Sequence, residues 1–293
     1  MTAGQRLKQA ISERRALVVP GAANALTARL IEDQGFETIY LTGAGLANTE
    51  LGVPDIGLVT LTELARATSA IAAATTLPLL VDADTGFGNA INVAHTVRTL
   101  ERAGAAAIQI EDQSFPKRCG HFAGKELIRG AEMVGKIKAA VDARRSGDCL
   151  IVARTDARAV EGFDAAIARA QSYAEAGADA TFVEAPESRA ELAEIPRRLA
   201  GVPQVANMVV GGKTPLAARD ELAAMGYGLV LFANAALQAS VLAMQEVLGA
   251  LHRDGSVSAV SNRLASFAER QRLVGKPEWD ALEARFATPQ EKR

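Results

Sequence analysis

The sequence predicts a closed (β/α)8 barrel over residues 1–252, followed by a helical extension over residues 253–293. Three observations carry that prediction. Eight short apolar runs recur along the chain, each too short for a helix. Segments of helical period separate them, and strands that are apolar throughout and alternate with helices belong to a parallel sheet covered on both faces. No Gly-x-Gly-x-x-Gly follows the first run, which weighs against an open doubly wound sheet. Eight βα units in roughly 250 residues instead close a barrel.

The elements follow in order. Residues 2–15 predict an amphipathic helix with Leu7, Ala10 and Ile11 on one side. Residues 16–21 read as the first strand, and a helix over 25–34 is stopped by Gly35. The second strand, 38–42, runs into Gly43-Ala44-Gly45, and Thr62 is expected to cap a helix reaching Ala74. The third strand, 79–82, exits into Ala83-Asp84-Thr85-Gly86, and a helix begins at Asn92. The fourth strand, 107–110, ends in Glu111 and Asp112. Helix 132–144, strand 150–153, helix 163–176 and strand 180–183 continue the alternation. A helix over 189–200 is expected to break at Pro196. Strand 205–206, helix 215–225, strand 229–232 and a helix from Ala235 complete the barrel. Asp254-Gly255-Ser256 then breaks the chain, and 257–286 reads as further helices around Trp279. A barrel is complete without them, so they are expected to pack on a neighbouring subunit.

Bulk properties narrow the function. The formal net charge of -2 weighs against a general nucleic-acid or anionic-membrane binder. Two cysteines, Cys119 and Cys149, make no disulfide framework. Cys149 lies in an apolar run and reads as a buried small hydrophobe. No apolar stretch is long enough to span a bilayer, and the N-terminus lacks the apolar core of a secretory signal. A soluble cytoplasmic protein is expected, with neither nucleic acid nor membrane as partner.

Polar residues fall at the carboxyl ends of the strands. Thr42, Asp82, Asp84, Glu111, Arg154, Glu184 and Asn207 all lie there, and in a barrel those ends share the rim that carries the chemistry. Clustered carboxylates repel unless a cation sits among them. Hard oxygen ligands favour Mg2+, with Mn2+ as the alternative. Asp82, Asp84 and Glu111 are the expected ligands, and Asp55 could join through a water. Arg154 suits a planar substrate carboxylate. The small-residue turn Thr42-Gly43-Ala44 allows close approach of an anion. An Asp-x-Asp after a strand more often caps a turn than binds metal; its company at one rim is what gives it weight. The stretch 104–129 is the densest in functional side chains. Within it Lys117-Arg118-Cys119-Gly120-His121 sets a thiol among cations, which favour thiolate.

Three segments together, Val81 to Gly88, Ile110 to Gln113 and Lys117 to His121, resemble the isocitrate lyase/phosphoenolpyruvate mutase superfamily. Within it the chain is most similar to the short 2-methylisocitrate lyases and 2-alkylmalate lyases. Tyr40 to Gly45, Pro54-Asp55, Ala153 to Asp156 and Ala159 to Gly162 extend the resemblance over nearly the whole chain, in order. The resemblance implies a barrel with helices swapped between the subunits of a homotetramer. It implies Mg2+ at Asp82 and Asp84, with Asp55 and Glu111 holding its waters. It makes Cys119 the catalytic acid, on a mobile loop with Lys117 and His121. Thr42, Gly43, Ala44, Arg154, Glu184 and Asn207 match substrate-contacting positions. The implied reaction cleaves a 2-hydroxy di- or tricarboxylate to an α-keto acid and a carboxylate. A metal-held water with Glu111, or Arg154 and its neighbours, would take the hydroxyl proton. Hydrolysis or decarboxylation of oxaloacetate is the alternative activity.

The sequence departs from the tricarboxylate-cleaving pattern. Thr42 stands for serine, Val210-Gly211-Gly212 for Glu-Phe-Gly, and Gln238 for an arginine. Loss of a guanidinium that would pair with a third carboxylate shifts the expected substrate toward a dicarboxylate.

Overall fold

A computed structural model describes residues 1–120, 122 and 124–287. The chain divides into two compact units, Met1–Leu237 and Gln238–Arg293. In the first, eight parallel strands pair in sequence order and close on themselves. They are β1 Leu17–Ala22, β2 Ile39–Leu41, β3 Leu79–Asp82, β4 Ala107–Glu111, β5 Leu150–Thr155, β6 Ala180–Val183, β7 Gln204–Asn207 and β8 Leu229–Phe232. β1 closes the ring on β8, with Leu17 opposite Leu229 and Val19 opposite Leu231. The helices up to the last strand are α1 Ala3–Ser12, α2 Ala25–Asp33, α3 Gly43–Leu46, α4 Leu61–Ala74 and α5 Ala90–Arg102, then α6 Gly130–Ala143, α7 Ala157–Val160, α8 Phe163–Glu175, α9 Arg189–Arg198 and α10 Arg219–Met225. The expected (β/α)8 barrel is the observed fold.

The two-residue period of a strand explains both the core and the site. One set of strand residues, among them Val19, Tyr40, Leu80, Val152, Phe182, Val205 and Leu231, fills the barrel interior. The alternate set, including Leu41, Val81, Ile108, Ile110 and Ile151, packs outward on helix residues such as Ile31, Leu64, Val97 and Ile137. α1 stoppers the interior from below, because its Leu7 and Ile11 join the inner cluster. Burial of each contributes about 1.5–3 kcal/mol. The helix is tied there by a capping box between Thr2 and Gln5. Gly4 is required, since a Cβ would collide with the carbonyl of Asp148. Two steps along each strand, the interior positions reach the upper mouth at Asp82, Glu111, Arg154, Glu184 and Asn207.

Several boundaries differ from expectation. Thr60, not Thr62, caps α4, because Glu63 completes a capping box with it. Pro196 does not break α9, which runs to Arg198; the proline sits in its last turn. Residues 215–218 are not helical, so α10 starts at Arg219. α3 and the π-type turn Ala47–Leu51 after β2 were not anticipated.

α11, Ala235–Asp254, leads into the second unit, which continues as a 3-10 turn Ser258–Arg263, α12 Phe267–Leu273 and α13 Lys276–Phe286. Among the described residues of this unit only Ala250 is buried. Leu242, Phe267, Trp279 and Phe286 are 64–72 % exposed. No helix among the described residues is long and apolar enough to cross a membrane.

Candidate active site

The mouth of the barrel holds a cavity lined by Tyr40, Thr42, Asp82, Lys117, Cys119 and Arg154, with Glu184, Asn207 and Asn234 completing its polar wall. Each group arrives for a local reason. Asp82 ends β3, and its Oδ1 accepts the Asp84 N–H at 3.2 Å. That short turn lets Asp84 adopt φ +48° and present its carboxylate beside Asp82. Both carboxylates face Gly43, where a Cβ would stand 3.2 Å from Asp84 Oδ1 and 3.3 Å from Asp82 Oδ2. Thr42 places that glycine: its Oγ1 accepts the Gly45 N–H at 3.2 Å and donates to Asn234 at 3.2 Å.

Arg154 is the hub of a buried ion cluster. It lies directly opposite Glu111 in the β4–β5 register. Its Nε and Nη2 donate to the two oxygens of Asp156 at 2.9 and 3.1 Å. Glu111 and Glu184 each lie 3.2 Å from it, and the ring of Phe182 lies beneath its guanidinium. Burial disfavours the Arg154 charge, but Asp156, Glu184 and Glu111 overcome it and hold its pKa well above the ordinary value. Burial also opposes the Asp156 carboxylate, yet Arg154 and Lys125 draw its pKa down to about 2. Glu111 goes the other way: burial pushes it well above the usual carboxylate range, against the pull of Arg154.

Lys117 is the second cation of the mouth. Its side chain is 4 % exposed, and its ammonium pairs with Asp55 and, at 2.8 Å, with Asp84. Burial raises the Asp84 pKa to about 7; Lys117 opposes the rise, while Asp82 and Asp55 add to it. Among the described residues no three His, Cys, Asp or Glu side chains are grouped closely enough to hold a metal ion. Two observations nonetheless fit a small dication beside Lys117. Glu111 Oε1 is buried without a hydrogen-bond donor, and the buried Asp84 Oδ1 has the Lys117 ammonium beside it at 2.8 Å. The donor set is hard oxygen, and Gly43 leaves the space between Asp82 and Asp84 unfilled.

Cys119 borders the same cavity and is partly exposed. Its N–H donates to the Asp55 carbonyl at 3.2 Å. Asp55 therefore holds the loop twice, by its backbone at Cys119 and by its side chain at Lys117. The next peptide lies on the ion cluster, since a Cβ on Gly120 would collide with Arg154 Nη2 and stand 2.7 Å from Glu184 Cγ. Of the cations expected to favour thiolate, Lys117 is paired with Asp55 and Asp84; Lys125, a further cation near the loop, is paired with Asp156. Cys149 is buried, and its thiol is pushed up to about 12 by burial and by Glu101.

The structure thus gathers Thr42, Gly43, Ala44, Asp55, Asp82, Asp84, Glu111, Lys117, Cys119, Arg154, Glu184 and Asn207 at one mouth. His121 lies outside the described residues. Sequence reasoning missed Tyr40, whose Oη accepts from Gln109 at 3.1 Å inside the barrel. It also missed Asn234 and Lys125.

Comparison with known proteins follows that geometry. The family model described as phosphoenolpyruvate phosphomutase matches residues 7–252. The chain belongs to the phosphoenolpyruvate mutase/isocitrate lyase superfamily. Among members of that superfamily, it is 43 % identical to a 2,3-dimethylmalate lyase of Eubacterium barkeri over 98 % of this chain and 99 % of the relative. It is 48 % identical to a 2-methylisocitrate lyase of Aeropyrum pernix over 96 % and 90 %. A crystal structure of 2,3-dimethylmalate lyase superposes with a TM-score of 0.93 at 35 % identity, covering 99 % of this chain and 97 % of that one. A phosphonopyruvate hydrolase solved with oxalate and Mg2+ superposes at 0.88 with 36 % identity, covering 98 % and 99 %. The superfamily expected from the sequence is the one found, and the chain is an enzyme of it.

Proposed function

We propose that this enzyme is a Mg2+-dependent carbon–carbon lyase that cleaves a 2-hydroxy dicarboxylate of the 2-alkylmalate type to an α-keto acid and a carboxylate. The observation that carries the reading is the meeting, around one cavity, of a thiol, a guanidinium locked by three carboxylates, and the acidic pair Asp82 and Asp84. Arg154 binds a substrate carboxylate, and its orientation is set before substrate arrives. Gly43 and Ala44 let the substrate approach the backbone closely, and Asn207 and Glu184 flank it. Mg2+, or Mn2+ in its place, would be held by Asp82 and Asp84, with Asp55 and Glu111 nearby, and would supply Lewis-acid stabilisation of the oxyanion.

The proton balance closes within the protein. The substrate hydroxyl gives its proton to a carboxylate of the acidic cluster as the C–C bond breaks. The bonding pair stays on the carbon of the departing carboxylate. Cys119 Sγ–H protonates that carbon, leaving a thiolate that recovers the proton released from the hydroxyl. Lys117 and the backbone of Gly120 cover the mouth and keep water from the carbanion.

Among the described lining residues the cations are Lys117 and Arg154, and both are already paired with protein carboxylates, Lys117 with Asp55 and Asp84 and Arg154 with Glu111, Asp156 and Glu184. That favours two substrate carboxylates over three. The test is keto-acid release from 2,3-dimethylmalate, citramalate, 2-methylisocitrate, isocitrate and oxaloacetate, with Mg2+ or EDTA. A dicarboxylate should lead and EDTA should abolish turnover. Leading turnover of 2-methylisocitrate, or of oxaloacetate by hydrolysis, would replace the substrate assignment.

The reading extends to assembly and location. Large apolar side chains at Leu242, Phe267, Trp279 and Phe286 are left in water by a single chain, and such surface marks an interface. The extension 253–293 packs on a neighbouring copy within a helix-swapped homotetramer, and the enzyme works in the cytoplasm on a small carboxylate. Light scattering should give a mass of four chains; a monomer would overturn the assembly.

A further inference from the structure

We propose that Lys125 is a positioning residue for this site: it fixes the backbone that carries Cys119 against the Arg154 cluster. The inference rests on the lyase reading only for its kinetic consequence.

Lys125 does not line the cavity, and nothing in the reaction calls on it. Its side chain is nevertheless 1 % exposed. A buried ammonium loses hydration and rotamer freedom, so its partners must compensate. It has two. The Nζ donates to the Gly120 carbonyl at 2.6 Å and to Asp156 Oδ1 at 2.7 Å. The first partner is the peptide that follows the thiol. The second is the carboxylate that grips Arg154 through both of its oxygens. One ammonium therefore spans the proton donor's backbone and the carboxylate-binding arm.

The packing leaves little tolerance at that junction. Gly120 lies so close to Arg154 and Glu184 that even a methyl group could not be inserted. Other braces act elsewhere. Gln113 donates to the Arg118 carbonyl at 2.8 Å and accepts its N–H at 2.9 Å, which stiffens the loop within itself. Lys117 and the Asp55 carbonyl anchor the limb up to Cys119. Lys125 ties the limb after it. Asp156 is itself held from behind, where its N–H donates to Asp112 Oδ1 at 2.9 Å. Asp112 in turn accepts from Thr155 and Tyr173 at 2.7 and 2.8 Å. The lysine thus references the thiol to the rigid end of β5 rather than to another part of the loop.

The consequence is geometric. Without Lys125 every reacting group is still present, but Gly120 is released from Arg154 and the thiol is displaced. Misplacement of a reacting group by about 1 Å costs on the order of a hundredfold in rate. Lys125→Met should therefore lower kcat about a hundredfold, with a much smaller change in KM.

A direct readout needs no substrate. The full-length protein with Mg2+ is treated with iodoacetamide across a pH series, and alkylation of Cys119 is followed by peptide mass. In Lys125→Met the plateau rate at high pH should rise at least tenfold over wild type, at a temperature where both proteins remain folded. Lys125→Arg, which keeps the charge, should lie between the two. A shift of the pH midpoint with an unchanged plateau would reduce Lys125 to an electrostatic neighbour and overturn the proposal, as would an unchanged profile. If Lys125→Met does not fold, Asp156→Asn opens the same bridge from the other side and is judged by the same plateau. A wild type inactive on every 2-hydroxy acid would defeat the lyase reading, while the alkylation rates would still decide the role of Lys125.

Discussion

Cys119→Ser should lose cleavage by about 10²–10⁴-fold, the range for removal of a positioned general acid. The hydroxyl is isosteric enough to keep the backbone contacts, in which the Cys119 N–H meets the Asp55 carbonyl and its own carbonyl accepts from Phe122 at 2.8 Å. It is a far weaker acid than a thiol, so the carbanion left by C–C scission lacks a donor. The fold and any Mg2+-dependent rise in unfolding temperature should be untouched, because the Asp82–Asp84 pair is held by the Asp84 N–H and by Lys117. Steady-state turnover and thermal unfolding with and without Mg2+ check the two halves separately. Full turnover in the variant would remove the cysteine from the mechanism. A collapse of stability would move Cys119 into a structural role.

Arg154→Met should be the most damaging single change to the fold at the site. The guanidinium is the shared counter-ion of Glu111, Asp156 and Glu184, whose side chains are 3 % exposed or less. Removal of one partner from a buried ionic group costs about 3–5 kcal/mol, because the remaining charges stay buried without compensation. Glu111, already pushed upward by burial, would protonate first. Asp156 would keep Lys125 but lose its bidentate partner. Denaturant unfolding should show the loss directly, and activity should vanish in the fraction that remains folded. Arg154→Lys should recover part of the stability but little activity, since a point charge cannot reproduce the planar fork. Near-wild-type stability in Arg154→Met would mean that the cluster is not organised by this residue.

Much of the site was legible because a strand repeats every two residues. Phe182 and Glu184, or Val152 and Arg154, are one pleat apart, so an apolar interior position predicts a polar one at the mouth. The metal-suited carboxylates and the Cys119 loop were legible from residue type and from the resemblance. What escaped has a common cause: it depends on partners distant in sequence. Lys125, in Gly124-Lys125-Glu126, reads as a solvated loop lysine until Asp156 folds beneath it. Tyr40 and Gln109 read as ordinary strand residues until the closed sheet brings them together. α3 was hidden because glycine and alanine carry no amphipathic pattern over four residues. Pro196 misled for the opposite reason: it costs the helix one N–H donor, but two residues before the last helical residue, Arg198, no long segment remains beyond it to be split off.

The pairing of β1 with β8 sets a schedule for the chain as it leaves the ribosome. Val19 and Leu231 stand side by side in the finished ring, yet they lie at opposite ends of the barrel sequence. At roughly 5–20 residues per second, translation keeps the first strand waiting on the order of ten seconds or longer for its partner. During that interval β1 has an unpaired edge, and Leu7 and Ile11 of α1 have no sealed interior to occupy. Such a topology is rich in contacts distant in sequence and exposes apolar surface while it waits. A nascent chain of this design needs its early segments shielded, and a stalled or truncated product lacking β8 would be prone to aggregation rather than a smaller stable enzyme.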